Sequence, residues 1–247
     1  MAEIQSLARG LTILDLLGQS PSGASITEVA EILGVDKGSA SRLMSTLAKH
    51  GYAEKDPVTR RYTLGPQIIR LSGSLLTRNP LYASAKPFLK QLMERTGECA
   101  HLAILAQGKA LYIDQVESPA TLRVNVRVGQ MAPLHCTALG KILLAYSSAE
   151  LPSFQQAFTP NTITEPKALQ QHLEAVRQQG FALDNEEFDP GVCCIAVPVY
   201  DINNNVVGAM GISGPATRLT TEKLPELIGK LVEIGKAFSE RMTFTRS

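Results

Sequence analysis

Between Ser25 and Gly51 the chain writes two short helices separated by a turn with room for nothing else, and no other feature constrains its fold as much. Ser25-Ile-Thr-Glu28 is a capping-box pattern: the serine hydroxyl can accept a bond from the glutamate amide, and the glutamate carboxylate can reach back to the serine amide. Ile26, Val29, Ala30 and Leu33 follow at helical spacing, and Gly34 supplies a left-handed stop. One residue later Asp36 can cap a second helix, whose apolar face is Ala40, Leu43, Met44 and Leu47 and which Gly51 closes. Two helices joined by so short a turn describe a helix-turn-helix. An earlier helix is expected from Leu7, Leu11, Leu14 and Leu17, read as one buried stripe closing before Gly18, with a turn at Ser20-Pro-Ser-Gly-Ala.

The outward positions of the helix after Asp36 are Lys37, Gly38, Ser39, Ser41, Arg42, Ser45 and Thr46. Small side chains let a helix sink into the major groove of DNA, where hydroxyls and a guanidinium can reach phosphates or base edges. A solvated helix that happens to be serine-rich satisfies the same pattern. The next residues tip the balance. Tyr52-Ala-Glu-Lys reads as a strand, Asp56-Pro-Val-Thr as a turn and Arg60-Arg-Tyr-Thr-Leu as the returning strand, which makes a wing with Arg60 and Arg61 beside its tip. Residues 1–65 are thus read as a winged helix-turn-helix, with Arg9 in the first helix as a further phosphate contact. Charge alone does not make this case. The net charge is +1, and within those residues the seven cations are matched by seven acids, so the argument rests on where the cations sit.

Gly65-Pro66 ends the wing, and Ile68, Ile69, Leu71, Leu75 and Leu76 give a greasy helix over 66–79, read as a linker that a partner subunit covers. Residues 80–247 change pattern. Helices are expected at Leu81–Arg95, Ala138–Tyr146, Ala149–Phe158, Pro166–Gln179 and Thr221–Arg241. Strands are expected at Cys99–Ala106, Ala110–Val116, Thr121–Val128, Phe181–Glu187, Cys193–Tyr200 and Val206–Ser213. In Thr121–Val128 the inward residues are Leu122, Val124, Val126 and Val128. The whole is α+β: a helix-dominated winged module, then a mainly antiparallel sheet flanked by helices.

The 247 residues suffice for two ordinary domains, and 44% hydrophobic with 19% charged residues suits globular folding. The longest apolar run, Val192–Tyr200, is strand-sized and broken by Pro198, far short of the roughly 20 residues of a membrane span. The N-terminus lacks a signal pattern, so a cytoplasmic location is expected. Cys99, Cys136, Cys193 and Cys194 are too few and too irregular for a disulfide framework.

Several stretches together resemble IclR-type transcriptional regulators: Gln5-Ser-Leu-Ala-Arg-Gly10, Gly129-Gln-Met-Ala-Pro-Leu-His-Cys-Thr-Ala-Leu-Gly-Lys141, Asp184-Asn-Glu-Glu187, Gly191-Val-Cys-Cys-Ile-Ala-Val-Pro-Val199 and Ile212-Ser-Gly-Pro-Ala-Thr-Arg218. The resemblance covers essentially the whole chain. It implies a winged helix-turn-helix, a linker helix and a GAF-like effector-binding domain, assembled as a homodimer or homotetramer on a palindromic double-stranded operator. It also implies a small-molecule effector, often a small carboxylate or an aromatic acid, and neither cofactor nor membrane. By motif, the effector positions are Leu122, Val124, Ala138, Leu139, Asp184, Cys194 and Ser213, with Met131 as a further part of an apolar wall. Two residues before Ser213, where some members carry another ligand-contacting serine, this chain has Gly211, from which a roomier pocket and a larger effector are expected.

Other chemistries use the same residues. Cys194, His135 and Asp184 have the types of a nucleophile, a base and an orienting acid, which leaves a Cys-dependent hydrolase with an N-terminal assembly module as the competing reading. Cys99, His101, His135 and Cys136 include zinc-ligand types without paired zinc-finger spacing. His50 and His172 are read as solvated or capping residues, and Glu186 and Glu187 as pocket rim or exposed turn.

Overall fold

The structure is a computed structural model that describes residues 3–148 and 155–244. The chain divides between Arg78 and Asn79 into two compact units.

In the first unit α1 (Gln5–Gln19), α2 (Ile26–Leu33) and α3 (Lys37–Lys49) precede an antiparallel hairpin of β1 (Ala53–Lys55) and β2 (Tyr62–Leu64). Both reciprocal bonds of the capping box form, and Gly34 is left-handed with its amide on the last turn of α2. Asp36 caps α3. Ile13, Leu17, Val29, Ala30, Ala40, Met44 and Tyr62 close a single small core. The α1 stripe differs from expectation. Ile13 and Leu17 are buried, whereas Leu7 and Leu11 are exposed together with Ile4. At 100° per residue, Leu7 and Leu11 lie about a quarter turn or more away from the Ile13–Leu17 direction, so α1 carries two apolar faces and its own unit covers one. The helix α4 (Gln67–Arg78) likewise exposes Ile69, Leu71 and Leu75.

The second unit contains α5 (Pro80–Thr96), β3 (Cys99–Ala106), β4 (Lys109–Val116), β5 (Met131–Ala132), α6 (Ala138–Ala145), α7 (Pro166–Gln179), β6 (Ala182–Asn185), β7 (Val192–Tyr200), β8 (Val206–Pro215) and α8 (Leu224–Phe244). Its six strands form one antiparallel sheet in the order β5-β4-β3-β8-β7-β6. Alternation sorts the side chains. Leu102, Ile195, Val197, Met210 and Ile212 face α5 and α8, which bring Leu89, Leu92, Leu231 and Phe238. The opposite face offers Ala103, Ala110, Ala182, Ala196 and Ala209, and this small-residue floor lets α6 lie close to the sheet. Every residue of α6 is buried. Gly140 is required there: a Cβ would stand 2.6 Å from both Leu134 Cα and Pro133 O.

Thr121–Val128 is not a strand. Met131–Ala132 pairs with the Ala110–Leu111 end of β4, whereas Thr121–Val128 joins no ladder, and Leu122 is left 66% exposed and Val128 exposed. Of the helix expected at Ala149–Phe158, residues 149–154 lie outside the described residues and Gln155–Phe158 is irregular. No helix among the described residues is long and apolar enough to cross a membrane.

Candidate nucleic-acid interface and ligand pocket

Asp36 organises the exposed face of α3. Its carboxylate accepts the Ser39 amide at 2.9 Å and the Ser39 hydroxyl at 2.6 Å, which holds its pKa below the usual carboxylate range. The Ser39 oxygen in turn accepts a bond from the Arg42 guanidinium at 3.0 Å, so Arg42 is pre-positioned along the helix. Lys37, Arg42, Ser45 and Thr46 are exposed; Ser39 and Ser41 are half-buried, as is Arg9 in α1. The Thr46 hydroxyl donates to the Arg42 carbonyl at 2.9 Å.

The two wing arginines, read from the sequence as a pair, part company. Asp56 pins the turn by accepting the amides of Val58 and Thr59, and Arg60 stands exposed at its end with a left-handed φ of 58°. Arg61 folds back instead. Its guanidinium donates to the carbonyls of Ser22 and Gly23 at 3.0 and 2.8 Å and pairs with Glu28 at 2.9 Å. The Ser25 amide and then Arg61 hold the Glu28 carboxyl down at about 2. Arg61 therefore ties the wing to the start of α2.

In the second unit a cleft of about 600 Å³, open mouth included, lies on the alanine-floored face at the N-terminus of α6. Asp184, Cys194 and Ser213 meet there because β6, β7 and β8 are adjacent, with Asp184 opposite Cys194 and Cys194 opposite Ser213. Val124, Ala138 and Leu139 also line it. Leu122 and Met131 do not: Leu122 points to solvent, and Met131 sits on the edge strand β5. Gly211 does not enlarge the cleft either. A Cβ there would stand 2.5 Å from Ile195 O and 3.1 Å from Ala196 Cβ, so the glycine permits close packing against β7 and leaves no extra room.

The sequence reading missed several lining residues, chief among them His101, Tyr112, Asn125, Gln130, Phe188 and Asp189. His101 is buried beside Ser213, with Nε2 2.6 Å from its hydroxyl and the ring edge-on to Tyr112. Burial lowers its pKa to about 4, so the ring is neutral, and Nδ1 has no partner. Its place at alternate spacing with Ala103 on β3 was the available signal; without the β3–β8 register it could not be joined to Ser213.

Asp184 is 3% exposed. Its Oδ1 accepts the Glu187 amide at 2.8 Å, and the Cys194 thiol is its hydrogen-bond partner. Burial raises its pKa to about 7; the Glu187 amide opposes this and the Glu187 charge adds to it. Behind it Lys141 of α6, fully buried, pairs with Glu187 at 2.5 Å. The hydroxyls of Thr159 and Thr162 donate to the Glu186 and Glu187 carbonyls, each at 2.6 Å, propping the turn from outside.

The hydrolase reading finds no support. His135 does not line the cleft; its Nε2 is 2.9 Å from the Gln156 carbonyl. Burial and the neighbouring Asp184 drive the Cys194 thiol pKa far up, which is the opposite of nucleophile activation. Among the described residues no three His, Cys, Asp or Glu side chains gather as a metal site.

Residues 6–57 match the IclR helix-turn-helix domain, and residues 73–240 match the bacterial transcriptional regulator IclR C-terminal domain. The chain is 33% identical to the HTH-type transcriptional regulator XynR of Escherichia coli K12, over 99% of each protein. It is 36% identical to the HTH-type transcriptional regulator BhcR of Paracoccus denitrificans, over 96% of this chain and 86% of that one. An IclR transcriptional regulator from Alicyclobacillus acidocaldarius superposes with a TM-score of 0.84 at 30% identity, covering 98% of this chain and all of the other. These relatives are transcriptional regulators. The helix-turn-helix, the α+β second unit and matches across nearly the whole length lead to one conclusion: the chain belongs to the IclR family of DNA-binding transcriptional regulators.

Proposed function

We propose that the protein binds a palindromic operator as a homodimer or homotetramer and that a small organic acid in the cleft of the second unit tunes this binding. The observation that carries the reading is the cleft itself. It combines an apolar wall, the N-terminus of α6 and a floor of buried polar groups, all on a unit distinct from the DNA-reading one. Thr137 caps α6 by accepting the Gly140 amide, which leaves the amides of Ala138 and Leu139 without intrahelical acceptors, and both residues line the cleft. A carboxylate is the natural partner for such a helix start. Lys37, Ser39, Ser41, Arg42, Ser45 and Thr46 are assigned to the major groove, Arg60 to the minor groove beside the wing, and Arg9 to backbone phosphate. The exposed apolar faces of α1 and α4 are assigned to subunit contacts.

Effector binding shifts operator affinity by a coupling free energy of about 1–3 kcal/mol. The test is a duplex shift assay with the DNA upstream of the protein's own gene and its divergent neighbour, run with and without small carboxylates and aromatic acids. A sequence-specific shift altered by one compound supports the reading; folded protein that shifts nothing overturns it.

A further inference from the structure

The cleft proposed to take an anion contains two carboxylates, Asp184 and Asp189, and no lysine or arginine among its lining residues. Lys141 on α6, whose charge acts on Asp184, is already paired with Glu187. An ionised effector at the start of α6 therefore enters a space in which Asp184 is buried between β7 and the Glu187 turn, with no side-chain cation free to offset a second negative charge and only the partial charge of the α6 N-terminus to set against it. Two carboxyl groups so placed coexist comfortably when one proton lies between them.

We infer that Asp184 receives the effector as a carboxylic acid, its O–H donating to the effector carboxylate, so that each anion bound brings one proton with it. The inference rests on the organic-acid reading above and makes Asp184 a specificity-determining residue: it rewards an acceptor oxygen and rejects a group that can only donate. The proton is supplied by solvent and is released when the effector leaves. The groups around Asp184 leave it this role. On β7 the Cys194 thiol is held protonated, and Cys193 lies on the opposite face of the sheet. On β4 and β3 Tyr112 and His101 are both held neutral by burial. Before α6 the Cys136 thiol is pushed up to about 12, mainly by burial. The Lys141 charge is matched by Glu187, and burial, with Lys141 adding to it, lowers the pKa of His172 on α7, which stays neutral. Asp189 on the same turn adds only negative charge. Burial places the Asp184 transition itself at about 7, so proton uptake is accessible near neutral pH.

The test is calorimetry on the full chain with glycolate, D-glycerate and benzoate as probes, from about pH 6 to about pH 8.5, in two buffers of different ionisation heat. The expected result is uptake approaching one proton per probe bound at the alkaline end, with affinity falling about tenfold per pH unit there. D184N, whose amide can donate without titrating, is expected to give a flat profile. Binding of a probe by the wild type without proton uptake overturns the inference while leaving the organic-acid reading intact. So does a D184N profile as steep as the wild type. Failure of every probe to bind at any pH overturns the organic-acid reading, and the inference with it.

Discussion

Among the described residues, buried charged side chains occur in one of the two units and not in the other. In the DNA-reading unit the pairs are exposed: Asp36 and Glu28 work at the surface, capping helices and aligning Arg42 and Arg61. The second unit has surface pairs too, such as Arg95–Glu233, but it also takes charge inside, with Lys141 wholly buried against Glu187 and Asp184 buried in the wall of the cleft. Exposed charge is cheap to rearrange and screened by salt, whereas buried charge is costly to leave unmatched and responds to protons. On the function proposed above, the difference would let one chain address DNA through ionic strength and an organic acid through pH.

The largest expected effect tests the buried side. K141A strands Glu187 in the interior and should destabilise the second unit by about 3–5 kcal/mol, read as a lower melting transition. Next comes Asp184. Its folded pKa lies above the unfolded value, so it contributes stability at acid pH that is lost as pH rises from about 4 to about 7. His101 and His172, lowered to about 4, act in the opposite direction up to about pH 6.5, so the wild-type profile alone mixes the two. The difference between D184N and wild type isolates the aspartate. It should move in favour of D184N by roughly 1.4 kcal/mol per pH unit across that window and then level off, measured by denaturant unfolding at a series of pH values.

On the exposed side, R42A should weaken operator binding by about 1–3 kcal/mol in a shift assay at physiological salt without moving the melting temperature. Unchanged affinity would remove Arg42 from the interface. The smallest and sharpest test separates the wing arginines. R60A should reduce DNA affinity and its salt slope while leaving stability alone; R61A should loosen the wing and lower the first unit's melting point. Identical outcomes would erase the distinction between them.

The elements legible in the sequence were those set by neighbours along the chain. Ser25–Glu28, Gly34 and Asp36 fix α2 and α3 through bonds that span three or four residues, so their pattern was readable. Thr121–Val128 failed for the complementary reason: alternation tells which side chains share a face but not whether another strand is there to pair. Met131–Ala132, which pairs with β4, is too short to announce itself. The same limit governed the cleft. Asp184, Cys194 and Ser213 were reached through motif resemblance, while His101 and Tyr112 join them only through the sheet's register. Gly211 was misread because a missing side chain was equated with empty space, when a neighbouring backbone fills it.

The alanine floor beneath α6 has a consequence for anyone who would reshape the cleft beside it. Enlarging Ala103, Ala196 or Ala209 would wedge the helix off the sheet and displace the helix start that borders the cleft, so this layer beside the cleft is effectively frozen. The segments carrying Asn125, Val126, Gln130 and Phe188 lie outside the ladder and tolerate change far better. New ligand preferences, whether found by selection or by design, should therefore collect on the rim, giving biosensors that share an interior and differ at the door.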